Sequence, residues 1–198
     1  KSIVGQFFES AVLTAGKDVQ ATYLLNCQLK ANGKLLVEGR KGVIIGGKTC
    51  AKLGVSCNGI GNIAEIATVV SVGIDKEDMT AYQELQKKIE QTQAELQTCE
   101  NGLNKLMANP VHDEKVSMMI QRLTRAVYTL KSSRKELFSE RDAQMEQMTK
   151  QKEARIQVSG RVYPGTLLFL NEDPFAIKEI YNNVEFVKHD NRIDTLAH

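Results

Sequence analysis

The chain of 198 residues has no tryptophan, only three prolines and only three histidines. It has no apolar run of the ~18 to 20 residues that a membrane-spanning helix requires, so no helical span is expected. Charge of one sign is missing too. The 26 basic and 24 acidic residues are interspersed, with a formal net charge of +2, so there is no electrostatic footprint for nucleic acid. The four cysteines, at 27, 50, 57 and 99, contain no C-x-x-C pair. That spacing argues against a disulfide framework or a zinc site and leaves reduced, buried thiols as the expectation. Lys1-Ser2-Ile3-Val4-Gly5 lacks the long apolar core of a signal peptide.

The scarcity of histidine also bears on catalysis. Solenoid acyltransferases rely on a histidine between coils, and residues 1–74 contain none. His112, His189 and His198 read as exposed surface residues. Polysaccharide-cleaving β-helices need clustered carboxylates. Glu9, Asp18, Glu38 and Glu65 are widely spaced instead. No nucleophile can be paired with a base. The sequence therefore assigns no catalytic, cofactor-binding or metal-ligating residue, and implies no enzyme and no cofactor.

What the chain does have is a long heptad segment, residues 75–153. On its first arm Tyr82, Leu85, Ile89, Thr92, Leu96, Cys99, Leu103 and Leu106 alternate in steps of three and four. On its second arm Val116, Ile120, Leu123, Val127, Leu130, Arg134, Leu137 and Arg141 do the same. Sustained spacing of this kind predicts a coiled coil. Asn109-Pro110 is a stop signal, because proline disfavours helix in the residue before it. Asp113 is a suitable N-cap for the second arm. Asp75, Glu77 and Asp78 suit a helix start, and Lys150 and Lys152 a helix end. The segment thus predicts an antiparallel hairpin with its tip near 108–113 and arms about 45 to 60 Å long at ~1.5 Å per residue. Register places Leu96 near Val127. It also places Arg134 beside Ile89, within reach of Glu90, and Arg141 beside Tyr82, where it could stack on the ring. Gly102 is a soft spot inside the first arm.

The flanks, residues 1–74 and 154–198, carry no such rhythm. Short strings of valine, isoleucine and leucine alternate with glycine turns. Gly16-Lys17, Gly33-Lys34 and Gly47-Lys48 recur at spacings of 17 and 14 residues. Weak self-similarity at this period predicts a β-solenoid, with a compact sandwich as the alternative. Residues 173–193 could cap its open end. If the hairpin interrupts one coil, 68–74 and 155–162 should be neighbours. One motif pulls elsewhere: Gly42-Val43-Ile44-Ile45-Gly46-Gly47-Lys48-Thr49 matches the phosphate-loop pattern GxxxxGK[ST]. A true phosphate loop follows a strand and opens a helix, and residues 50–59 are poor helix formers. Nucleotide binding through 42–49 is therefore a lesser alternative.

Two features together resemble a known family. They are the order of elements and the stretch Ile156-Gln157-Val158-Ser159-Gly160-Arg161-Val162-Tyr163-Pro164-Gly165-Thr166, followed by Val184-Glu185-Phe186. The chain resembles the bacterial flagellar assembly protein A (FapA) family over nearly its whole length. The resemblance implies a right-handed parallel β-helix, like the MinC C-terminal domain and the bactofilins. It implies a cytoplasmic bacterial protein with roles tied to flagellar assembly. It also leads to the expectation of a further N-terminal domain outside this sequence. The function expected is a non-enzymatic scaffold or adaptor that binds protein partners through the hairpin. Self-assembly of the β-helix into an oligomer or polymer is the alternative.

Overall fold

The computed structural model describes residues 1–108, 113–190 and 192–197. The chain divides into two compact units, residues 1–76 with 147–198, and residues 77–146. The first unit is a β-solenoid. Its opening coil contains β1 (Ile3–Val4), β2 (Phe7–Glu9) and β3 (Val12–Ala15). The second contains β4 (Val19–Ala21) and β5 (Tyr23–Ala31), and the third β6 (Leu35–Val37) and β7 (Val43–Ala51). The fourth contains β8 (Val55–Ile60) and β9 (Thr68–Val72). Two helices follow, α1 (Lys76–Met107) and α2 (Glu114–Lys152). The solenoid then resumes with β10 (Ile156–Val162) and β11 (Thr166–Leu170). It ends in β12 (Asp173–Ala176), β13 (Tyr181–His189) and β14 (Arg192–Ala197).

Parallel ladders sort these strands onto three faces. On the first face Ile3 pairs with Val19, Val19 with Leu35, Leu35 with Val55 and Val55 with Ile156. On the second, Phe7 pairs with Tyr23, Tyr23 with Val43, Val43 with Gly59 and Gly59 with Arg161. On the third, Val12 pairs with Gln28, Gln28 with Lys48, Lys48 with Val69 and Val69 with Leu167. The first face repeats after 16, 16 and 20 residues. This corrects the spacings of 17 and 14 read from the Gly-Lys pairs. Gly33 does stack on the first of them, its N–H donating to Lys17 O at 3.1 Å. Gly47 lies instead at the corner between the second and third faces, in register with Cys27.

Strand alternation sends every second side chain inward. The interior is a set of aliphatic rows. Leu24, Ile44, Ile60 and Val162 form one, and Ala21, Val37, Cys57 and Val158 another, all buried. Burial of the Cys57 thiol pushes its pKa up to about 12, against a smaller lowering by a hydrogen bond to the Gly59 backbone. The last coil is closed by antiparallel pairing: β12 on β11, β13 on β10, and β14 on β13. Phe186 is completely buried there, with Phe175 and Tyr181 ring centroids 5.7 and 5.8 Å away. An aromatic cluster so stoppers the aliphatic interior.

The segment 42–49 is solenoid, not phosphate loop. Residues 43–51 are strand, and the chain turns at 52–54 into β8 with no helix opening there. The Gly46 N–H, which a phosphate loop would aim at a ligand, donates to Thr68 Oγ1 at 2.8 Å. Gly47 has φ +74° and presses so closely on the Cys27 backbone that a Cβ there would clash. Thr49 faces the interior at 1% exposure.

Candidate functional site: the helical hairpin

The three-residue corners 16–18, 32–34 and 52–54 turn the chain from the third face back to the first. The next such corner runs from 73 to 155 and contains both helices. The stretches 68–74 and 155–162, expected to be neighbours, lie on different faces and share no ladder. β9 lies on the third face and pairs with β7 and β11, while β10 lies on the first face and pairs with β8. The two ends of the insertion meet across the corner, not along a ladder.

That corner is built from residues of the solenoid unit. The Ile74 N–H donates to Asn171 Oδ1 at 2.9 Å, and Asn171 Nδ2 donates to Lys152 O at 3.2 Å. One amide side chain so clasps the outgoing and the returning chain. Asn171 itself sits at φ +50°, which asparagine tolerates better than most residues. Gly73 has φ +88°, and a Cβ on it would strike Asn171 Oδ1, so the close approach depends on glycine. The Asp75 carboxylate lies 3.7 Å from Lys30 Nζ and 4.0 Å from Lys52 Nζ, tying the departing chain to the second and third coils. The Lys76 N–H donates to Glu172 Oε1 at 3.2 Å. Gln151 is 7% exposed at the same corner. Of these residues the sequence reading singled out Asp75 and Lys152 as helix ends; Asn171 and Glu172 lie 97 and 96 positions from Ile74 and Lys76 and meet them only through folding.

The hairpin has its own logic. α1 and α2 contain 32 and 39 residues. Leu85, Ile89 and Leu96 are buried on α1, and Val127 on α2, all from the predicted seam. Asp113 caps α2 as expected, its Oδ1 accepting the Val116 N–H at 2.8 Å. Gly102 faces Leu123 Cδ1 across the seam, and Glu100 pairs with Lys131 at 2.9 Å. Two finer expectations are corrected. Arg141 lies over Phe138, 4.7 Å from its centroid, and donates to Asp142 Oδ1 at 2.7 Å, in place of stacking on Tyr82. The nearby neighbours on its own helix win because they need no ordering across the seam. The Tyr82 hydroxyl instead accepts from Gln86 Nε2 at 2.9 Å. Arg134 forms no ion pair with Glu90 among the described residues; it is half-buried at the seam's edge. The expected tip, with Pro110 and His112, lies outside the described residues apart from Ala108 and Asp113.

The outer faces are largely polar, but several large apolar side chains stand on them. Tyr128 is 78% exposed, and Met107, Met118 and Met119, all close in sequence to the tip, are 63%, 50% and 57% exposed. Residues Ala94, Glu95, Thr98, Cys99, Ala126, Thr129 and Leu130 line a shallow flank groove of ≈ 720 Å³. Its threonine hydroxyls donate to their own helices, Thr98 to Ala94 O and Thr129 to Arg125 O. Among the described residues no cluster of three or more histidine, cysteine or acidic side chains could hold a metal ion. No described helix is long and apolar enough to cross a membrane.

No curated protein and no solved structure matches the chain significantly. The Flagellar Assembly Protein A beta solenoid domain family matches residues 1–193. A solenoid stacked through every coil and interrupted at one corner by a helical hairpin accords with that match, and the chain belongs to the FapA β-solenoid family.

Proposed function

We propose that the protein is a non-enzymatic cytoplasmic scaffold for flagellar assembly, and that it binds a protein partner through the hairpin. The family assignment supports the flagellar role. One observation carries the finer reading. The hairpin satisfies its own seam, yet Tyr128, Met107, Met118 and Met119 stand at least half exposed on it. Exposed methionine is costly to leave in water and adapts readily to a partner's surface. Aromatic anchors such as Tyr128 are typical centres of binding energy. The solenoid contributes a stiff mount, and the Asn171 clasp and the Asp75 ion pairs hold the corner from which the hairpin departs.

The test is capture of partners from cells that build flagella. Full-length chain is compared with a variant whose residues 77–146 are replaced by a short glycine-serine linker, and with the quadruple variant Met107→Ser, Met118→Ser, Met119→Ser, Tyr128→Ser. The solenoid variant should remain folded and lose the partner, and the quadruple variant should bind at least about tenfold more weakly. An unchanged set of captured proteins in both variants sinks the proposal and leaves the hairpin as a spacer.

A further inference from the structure

Small residues in one coil open a notch where the third face turns into the first. Lys34, Gly54 and Arg155 immediately precede the paired residues Leu35, Val55 and Ile156, and so stack over one another at that corner. Backbone bonds fix the stack: the Leu35 N–H donates to Gly54 O and the Val55 N–H to Arg155 O, both at 3.0 Å. In the outward row beside it, Ser56 pairs with Leu36 on one side and Gln157 on the other. The middle coil thus carries glycine and serine where its neighbours carry longer side chains. A cavity of ≈ 450 Å³ lies over these residues. Lys34 and Arg155 flank it two ladder steps apart, ~10 Å at ~4.8 Å per step, a gap that their long side chains can close on a small ligand.

The lining mixes charge with apolar surface. Leu36 and Leu53 are half-buried and form a wall. Lys150, in the last turn of α2, and Glu153, just past it, close one side, and both belong to the solenoid unit. Glu153 is the one carboxylate among the described residues of the lining, against Lys34, Lys150 and Arg155. The reasons for these cations differ. Lys150 complements the C-terminal end of the helix dipole. Arg155 holds the buried Glu185 through one nitrogen at 3.0 Å, and its guanidinium has further N–H donors. Lys34 has no ion pair among the described residues, and the Ser56 hydroxyl has no protein hydrogen bond there. Such donors suit phosphate oxygens. The leucines suit a flat or apolar body beside the phosphate, and Glu153 can accept from hydroxyl or amino groups on it. The volume is within the ~300 to 1,000 Å³ typical of small-molecule sites.

We infer that this notch binds a small phosphate ester with a flat body bearing hydroxyl or amino groups, the chemistry of a mononucleotide. The phosphate sits between Lys34 and Arg155 and takes the Ser56 hydroxyl. The body lies on Leu36 and Leu53, with Glu153 at its polar edge. The site is separate from residues 42–49, whose Lys48 is exposed on the third face. This inference does not depend on what the hairpin binds.

Titration calorimetry of the full chain tests it, at ~0.15 M salt so that scattered surface charges are largely screened. The probes are adenosine monophosphate, inorganic phosphate and adenosine. Adenosine monophosphate should saturate one site and bind at least about tenfold more tightly than either fragment. Lys34→Gln should weaken it about tenfold and leave adenosine unchanged. Ser56→Leu fills the notch from an outward position and should weaken adenosine monophosphate and adenosine alike by about tenfold. Lys48→Gln should change nothing. Circular dichroism checks that each variant folds, and Leu36→Gln reads the same wall if Ser56→Leu does not. No saturable binding of adenosine monophosphate, equally tight binding of inorganic phosphate, a loss in Lys48→Gln that matches the loss in Lys34→Gln, or indifference to the notch and wall variants would each overturn the inference.

Discussion

The solenoid and the hairpin come from one chain but are held by different means. The parallel ladders of the solenoid unit join residues at least 16 positions apart, and one of them joins Val55 to Ile156. Its interior rows are closed to water, with Val19, Leu35, Ile44 and Ile156 at 0% exposure. The hairpin relies on hydrogen bonds four residues apart and on a narrow seam in which, among its described residues, Leu85, Ile89, Leu96 and Val127 are buried. A stack loses its neighbours' support when one layer fails, whereas a helix pair can fray from an end. The contrast between a stack that fails as a whole and a helix pair that frays can be broken at several points.

The largest effect should come from the stopper. Phe186→Ala removes a fully buried ring from the last coil and should lower the stability of the solenoid unit by about 3 to 5 kcal/mol in urea unfolding. A loss under 1 kcal/mol would show that the cap is not what closes the interior.

Alkaline pH probes the same interior. Between about pH 9 and 12 the buried Cys57 thiol stays protonated while its unfolded counterpart ionises. Unfolding therefore releases a proton in that window, and stability should fall as pH rises through it. Below about pH 9 the contribution is fully present. Urea midpoints measured at about pH 8 and about pH 10.5 should diverge, and the difference should shrink in Cys57→Ala. At the lower pH, half-buried Cys50 and Cys99 should react with iodoacetamide well before buried Cys27 and Cys57.

The corner between the regions comes next. Asn171→Ala deletes both clasping hydrogen bonds and should cost about 1 to 3 kcal/mol. Hydrogen exchange at the Ile74 amide should quicken more than at the Ile44 amide. Asn171→Gly keeps the positive φ and should show the same exchange signature, separating clasp from backbone strain. Equal protection in both variants would remove the clasp from the account.

The smallest change should be a gain. A Cβ on Gly102 would lie 3.6 Å from Leu123 Cδ1, an ordinary contact. Gly102→Ala should stabilise the hairpin by up to about 1 kcal/mol, seen as a higher melting temperature of the helical signal. A lower one would mean that the seam is tighter at Gly102 than that distance implies.

Sequence legibility followed the range of the interactions. The hairpin is local physics: heptad spacing named Leu85, Ile89, Leu96 and Val127, and side-chain chemistry named Asp113 as a cap. Arg141 escaped because two partners on one helix, Phe138 and Asp142, competed with one across the seam. The Gly-Lys pairs signalled a solenoid but gave the wrong period, since Gly47 occupies a different corner from Gly16 and Gly33. The phosphate-loop match was rightly set behind the solenoid reading, because a local pattern of glycines serves equally for a β corner.

By itself, the sequence determined that a β body is interrupted by an antiparallel helical hairpin. Apolar periodicities of two and three to four, with turn residues between them, suffice for that. Only the tertiary structure decided which corner holds the insertion, that Asn171 closes it, and that Lys34, Gly54 and Arg155 stack at one corner beside Ser56. Those facts depend on which coil stacks on which, and stacking register is set by the summed packing of all layers, which no short window of sequence contains.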